Sequence, residues 1–354
     1  MKRLGLHPGV GAALGAALLF GAGTPLAKLL LEGTSPWLLA GLLYLGSGIG
    51  LTLLRAIRPS ERRARLAPGE WPWLAGAVFS GGVVGPVLLM WGLAGMPASG
   101  AALLLNAEGV FTAVIAWVVF RENVDRRIFI GMLAIVAGAL VLSWPKQSQA
   151  SFGAALPSLA VLGACLAWGI DNNLTRKVAL ADAVWLASVK GLAAGATNLA
   201  LALALGAAWP AALRVGGALA VGLLAYGFSL VLFVVALRHL GTARTGAYFS
   251  VAPFFGALVA VVGLGEPVTA PLLIAGALMA VGVWLHLSEQ HEHGHSHEAM
   301  EHEHEHAHDA HHQHAHDAPM ALAPGAAHTH RHRHEPMRHD HAHFPDAHHR
   351  HGHH

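Results

Sequence analysis

Stretches of about 20 apolar residues, parted by short polar or Gly/Pro-marked breaks, recur along most of this chain and limit its fold more than any other feature. A helix needs roughly 20 apolar residues to cross the hydrocarbon core of a bilayer, and only helices and closed barrels satisfy their own backbone there. Ten runs meet that length: residues 10–31, 37–54, 71–95, 98–120 and 128–144, then 152–170, 184–204, 215–237, 245–264 and 268–287. Charged side chains make up 12% of the 354 residues, about half the ~25% usual for a soluble domain. The expected fold class is an all-α integral membrane protein of ten transmembrane helices. Trp37, Trp71, Trp73, Trp144, Trp185 and Trp284 lie near span ends, where amphipathic rings favour the headgroup layer. Lys2 and Arg3 precede the first run as they would in a signal peptide, but the run continues to Leu31 and is read as a retained helix.

Charge divides the chain into two materials. Residues 1–287 hold 18 Lys and Arg against 9 Asp and Glu, whereas residues 288–354 hold 4 against 11 together with 24 of the 27 histidines. With the N-terminus inside, 14 basic residues fall in inner segments, among them Arg55, Arg58, Arg62, Arg63 and Arg65. Only Lys28, Lys146 and Arg214 fall in outer ones. The positive-inside rule then places both termini in the cytoplasm of a cell with a bacterial-type inner membrane. The same anchoring accounts for the arginine-rich loop without a nucleic-acid partner. The single cysteine, Cys165, lies in an apolar run and reads as a small core residue.

An internal repeat runs through the basic part. Residues 15–28 read GAALLFGAGTPLAK and residues 163–176 read GACLAWGIDNNLTR, in register at a spacing of 148 that Trp37 and Trp185 keep. Further on, Ser99-Gly100-Ala101 matches Thr245-Gly246-Ala247, and Phe111, Ala116, Glu122 and Gly138 match Phe255, Ala260, Glu266 and Gly282. The domains expected are a first five-helix repeat over 1–144, a second over 145–287, and a tail over 288–354. An odd number of spans turns the second repeat upside down, as in many secondary transporters.

On these residues the sequence resembles the EamA-like ten-helix permeases of the drug/metabolite transporter superfamily. The resemblance covers about residues 10–287 and rests on two marks. One is an aromatic-Gly pair followed by a base, Phe20-Gly21 to Lys28 and Trp168-Gly169 to Arg176. The other is a span closing in Glu before a Gly-containing span: Glu122 before Gly131 and Gly138, Glu266 before Gly276 and Gly282. Pro253 stands where the family usually has a proline in the ninth span, while the fourth span offers Glu108-Gly109 in place of one. The resemblance implies a permease, often an exporter of amino acids, drugs or other small metabolites.

An ionisable group at mid-bilayer costs at least ~2.5 to 3.5 kcal/mol, so it should face a cavity or a partner. Glu108 lies about halfway along the fourth run, roughly 15 Å from either end and too deep to snorkel. It reads as the group that binds a cationic substrate or a coupling proton, or else as a structural ion pair. Asn106 sits two positions before it. Lys190 lies inside the seventh run, where it either serves the substrate or snorkels. Asp171 and Asn172 follow Trp168 at the inner end of the sixth run, lining a cavity mouth or ending a helix. Tyr44 and Tyr248 are mid-span aromatics with a polar tip, candidate cavity walls that also suit a core. Lys28, Arg176, Glu122 and Glu266 sit at span ends and read as structural partners of helix termini.

The tail carries few large apolar residues and reads as disordered. Its imidazoles alternate with carboxylates, a ligand supply for Zn, Ni, Co or Cu at His291, His293, His295, His297, His302, His304, His306, His308, His311 and His312. His291–His295 and His302–His306 match the H-E-x-x-H pattern only because His and Glu alternate, so no protease is expected. No cofactor is required. The function expected is secondary transport, most simply export, of a small polar metabolite or drug-like compound, with proton coupling open and the tail binding divalent metal. The alternatives are export of Ni, Co or Zn or of a chelate, or a membrane-anchored metal buffer or sensor that is not an enzyme.

Overall fold

The structure is a computed structural model. It describes residues 8–57, 66, 68–120, 126–144, 152–178, 182–233, 235–236 and 248–287, and in the tail 292–297, 300–306, 328–334 and 337–342. Eight helices are long and apolar enough to cross a membrane: span 1 (Gly9–Leu30), span 2 (Pro36–Ile57), span 3 (Pro68–Ala94), span 4 (Ala98–Val119), span 5 (Arg126–Ser143), span 6 (Ala155–Thr175), span 7 (Val184–Ala204) and span 8 (Ala212–Phe233). Two shorter apolar helices, Ala252–Leu264 and Ala270–Leu285, occupy the places of spans 9 and 10. The chain is a multi-pass helical membrane protein.

Small residues decide which spans touch, because lipid tails compete equally for large apolar side chains and close backbone approach gains the most dispersion. Span 2 crosses span 7 on facing glycines: a Cβ on Gly191 would meet the Cα of Gly48 at 2.8 Å, and one on Gly41 would meet the Leu199 nitrogen at 2.8 Å. Spans 5 and 10 pair through Gly138 against Met279 and Gly282 against Ile135. Their outer faces, with Leu133, Leu140, Leu273 and Trp284, are left exposed for lipid. Span 1 packs on span 9, span 6 on spans 3 and 4, span 8 on spans 1 and 2, span 7 on span 3, and span 4 on span 9. Adding five to each span number maps these pairs onto one another, whereas the contact of span 2 with span 3 has no counterpart of like extent between spans 7 and 8 among the described residues.

Four spans depart from regular α-helix. Spans 3 and 8 each contain a π-helical stretch, Val78–Val84 and Leu223–Phe228. Span 4 breaks at Leu105–Asn106, between Ala98–Leu104 and Ala107–Phe120. Span 9 turns at Ser250–Val251 before Ala252–Leu264. The two π stretches start 145 residues apart, and so do the two breaks.

Polar side chains close the corner between spans 3 and 4. Lys28 Nζ donates to the carbonyls of Leu93 at 2.6 Å, Met96 at 3.0 Å and Ala94 at 3.3 Å, at the C-terminal end of span 3. Gly265 adopts φ 68°, which ends span 9 and aims the next residue back at the bundle. There the Glu266 carboxylate accepts from the backbone N–H groups of Ala98 at 2.7 Å and Ser99 at 2.8 Å. A cation thus sits on helix carbonyls and an anion on helix amides, each complementing the terminal dipole. Glu266→Ala should lower stability by about 2 kcal/mol, the scale of hydrogen bonds to a charged group. Unfolding followed by circular dichroism in detergent measures it, and Glu266→Gln should lose less.

At its described positions the tail contains two antiparallel strand pairs. Strand β1 (Glu292–His297) pairs antiparallel with β4 (Met337–Ala342), and β2 (Met300–His306) with β3 (His328–His334). Strict alternation favours this pairing, because period-two sequence places like residues on one face of a strand. His302, His304 and His306 oppose His332, His330 and His328, while Glu301 and Glu303 oppose Arg333 and Arg331. His293 and His295 oppose His341 and His339. His291, His308, His311 and His312 lie outside the described residues, as do Glu122 and Thr245.

Candidate functional site

The break in span 4 places Glu108 in the first turn of the helix that follows it. Its Oε1 accepts from Asn172 Nδ2 of span 6 at 2.8 Å, and the same amide reaches Thr112 Oγ1 at 3.2 Å. Span 6 comes this close because Gly169 has no side chain: a Cβ there would lie 2.9 Å from Phe111 Cβ and 3.0 Å from the Thr112 nitrogen. Its repeat partner Gly21 does the same for span 1 against Ala252 and Gly256 of span 9. The aromatic-Gly mark shared by the repeats therefore has a mechanical meaning: each glycine admits a broken helix to the bundle interior.

One helical turn along span 6 from Gly169, Asn173 is buried and donates to the Gly169 carbonyl at 2.8 Å and the Thr112 carbonyl at 3.1 Å. Asp171, 8% exposed, forms an ion pair with Lys190 of span 7, whose Nζ lies 2.6 Å from Oδ1 and 2.8 Å from Oδ2. Thr175 Oγ1 donates to Asp171 Oδ1 at 2.8 Å and accepts from Lys190 at 3.2 Å. Lys190 is thus held by a carboxylate of span 6, which continues as helix through Asp171 to Thr175.

The π stretch of span 3 supplies the third part. Widening a helix by a residue frees carbonyls from the intrahelical ladder, and in a membrane interior they need other donors. Tyr44 Oη donates to the Gly81 carbonyl at 3.0 Å, Trp168 Nε1 to the same oxygen at 2.9 Å, and Asn198 Nδ2 to Gly82 at 2.9 Å. Ser80 Oγ, in the same stretch, bonds the Ala167 carbonyl at 2.6 Å. In the second half Ser229 Oγ bonds the Ala16 carbonyl at 2.9 Å, joining span 8 to span 1 as Ser80 joins span 3 to span 6.

The expected residues divide accordingly. Glu108 and Asn172 meet directly. Asp171 and Lys190 meet each other, and Trp168 and Tyr44 meet on one carbonyl. Asn106, 7% exposed, turns away: its amide donates to the Leu103 carbonyl at 2.9 Å and reaches Met279 Sδ at 3.9 Å, closing the helix break. Tyr248 is 36% exposed, and it is its neighbour Phe249 whose ring lies 5.4 Å from Phe20. The residues at these contacts that sequence reasoning passed over are Thr112, Ser80 and Asn198, which carried no signal beyond residue type.

Broken and π-bulged helices gathered around a mid-membrane carboxylate define a class, that of membrane transporters. The model of the EamA-like transporter family matches residues 7–144 and again residues 156–288, and the chain belongs to that family. It is 28% identical over 289 residues to an uncharacterized transporter of Methanothermobacter thermautotrophicus, spanning 76% of this chain and 83% of the relative. Over 88 residues it is 39% identical to a probable 4-amino-4-deoxy-L-arabinose-phosphoundecaprenol flippase subunit, ArnE, of Pseudomonas fluorescens, covering 24% of this chain and 72% of that one. A crystal structure superposes with a TM-score of 0.58 over 78% of this chain and 95% of its own, at 17% identity, a likeness of fold.

Proposed function

We propose that the protein is a secondary transporter that exports a small polar metabolite or drug-like compound by alternating access, and that Glu108 is the residue that takes its positive charge or a coupling proton. The observation that carries this reading is the placement of Glu108. It follows a helix break at mid-membrane, is held by an amide and a hydroxyl-bearing neighbour, and has no cationic partner among the described residues. Lys190, the cation of neighbouring span 7, is engaged by Asp171. Among the described residues no three His, Cys, Asp or Glu side chains gather as a metal-ligand set, so the site suits a cation of low charge density better than Ni, Co or Zn.

Alternating access is supported by the pairing of spans under addition of five and by the matched π stretches and breaks. The two separate family matches support divisions near 1–144 and 145–287. In this scheme the halves are inverted, both termini are cytoplasmic, and the Lys28 and Glu266 contacts close the outer side. Flux into reconstituted vesicles tests it, with amino acids, organic cations and divalent metals offered with and without a pH gradient. Maleimide labelling tests the topology in a Cys165→Ala background: cysteines at positions 60 and 210 should label from opposite sides, and labelling from one side overturns the inversion.

The tail binds divalent metal in this reading. Registered His–His pairs at three alternate positions of β2 and β3 bring imidazole-bearing residues opposite one another, a supply suited to Zn, Ni, Co or Cu. The full chain should bind several equivalents of nickel in equilibrium dialysis, and a chain ending at 287 should lose them. Export of an organic substrate should survive that deletion. If it falls with metal export instead, metal is the cargo.

A further inference from the structure

We propose that the tail holds two copper(I) ions, one at each place where a methionine is registered opposite a histidine: Met300 with His334, and His297 with Met337. The inference rests on the reading of the tail as a metal binder and names the ion that two of its positions select. In the ladder of β2 with β3, Met300 stands opposite His334, and in that of β1 with β4, His297 stands opposite Met337. Two residues part β1 from β2 and two part β3 from β4, so both strand pairs keep one register and the two mixed rungs fall at their adjoining ends. Period-two alternation places Met300 on the face of its pair that carries His302 and His304, and Met337 on the face that carries His339 and His341. The rungs belong to different strand pairs, which makes two sites.

Packing gives these methionines no reason to be there. Methionine usually fills gaps in a core, but the four strands contain no other large apolar residue, only histidine, carboxylates, arginine and small side chains. What the thioether adds is chemical softness. Thioether sulfur selects copper(I) and is a poor ligand for Ni, Co or Zn, whereas imidazole serves all of them. Copper(I) has a filled d shell and accepts as few as two ligands, so a single Met–His rung completes a site. The five His–His rungs offer imidazole alone and make no such choice. The register does not depend on the ion. Glu301 and Glu303 stand opposite Arg333 and Arg331 on the other face of β2 and β3, and opposite charges directly across a ladder favour pairing.

Oxidation of methionine to its sulfoxide by peroxide, followed peptide by peptide in mass spectrometry, reports on each thioether separately. The probe is silver(I) in nitrate buffer, a soft monovalent stand-in for copper(I), added to the purified full-length chain in detergent. Two equivalents should slow oxidation of Met300 and Met337 about tenfold, as for a site filled nine-tenths of the time. Met320, which lies outside the described residues, should oxidise at its metal-free rate. Nickel should protect none of the three. His334→Gln should release Met300 alone and His297→Gln should release Met337 alone, a pattern that composition without register does not produce. With copper(I) itself under anaerobic conditions, X-ray absorption should show a sulfur neighbour that Met300→Leu/Met337→Leu removes, while nickel binding in dialysis is unchanged. Equal protection of Met320, or protection that ignores the partner histidine, overturns the paired sites. Protection by nickel overturns the selectivity for a soft ion. A chain that binds nickel but shields no methionine sinks this inference alone, whereas a chain that binds neither ion sinks the metal reading of the tail with it.

Discussion

A Glu108→Gln chain is expected to reach the membrane folded and to lose flux by on the order of 100-fold, the loss that follows when one partner of a desolvated charge pair is removed. Glutamine keeps the length and the Oε1 acceptor, so the bond from Asn172 Nδ2 and the crossing of spans 4 and 6 persist. Only the charge goes. Glu108→Asp keeps the charge but is one methylene short of Asn172, and an intermediate flux is expected. The two roles open to Glu108 give different residual behaviour. If it binds substrate charge, exchange of labelled for unlabelled substrate across the vesicle falls with net flux. If it carries the coupling proton, exchange without a gradient survives in the glutamine variant and only the response to a pH gradient disappears. Undiminished flux by both measures removes Glu108 from the mechanism.

The spans were legible because lipid imposes a single demand, length of apolar sequence, that each segment meets or fails alone. Glu108 was legible for the related reason that a charge at mid-depth contradicts its surroundings. What escaped sequence reasoning depends on partners across helices. Asp171 and Lys190 stand 19 residues apart on different spans, and no local pattern announces that they meet. Asn106 looked like a neighbour of the site, yet the break at Leu105–Asn106 turns its amide onto the Leu103 carbonyl. The π stretch of span 3 depends on the donors that bond its freed carbonyls, Tyr44, Trp168 and Asn198, and so was invisible in residues 78–84 alone. Lys28 was read as a partner of a helix end, but the carbonyls it holds belong to span 3 rather than to its own span.

Removing the Asp171 carboxylate while leaving Lys190 should be the most destabilising single change in the body. The pair is largely shielded, with side-chain exposures of 11% for Asp171 and 19% for Lys190. An ammonium left without its carboxylate in such a place costs about 3 to 5 kcal/mol. Asp171→Ala should therefore unfold at markedly lower denaturant or temperature in detergent. Lys190→Met should do the same to a smaller extent, because Thr175 still donates to Asp171. The double variant Asp171→Leu/Lys190→Met should recover most of the loss, since replacing both members of a shielded ion pair by apolar residues of similar volume is often neutral. That rescue turns a stability measurement into a functional one. If the pair only braces spans 6 and 7, the rescued chain transports at the parent rate. If Lys190 and Asp171 also handle the substrate on its way to Glu108, the rescued chain is stable and slow, with the deficit in maximal rate or in half-saturation showing whether they act on its passage or on its capture.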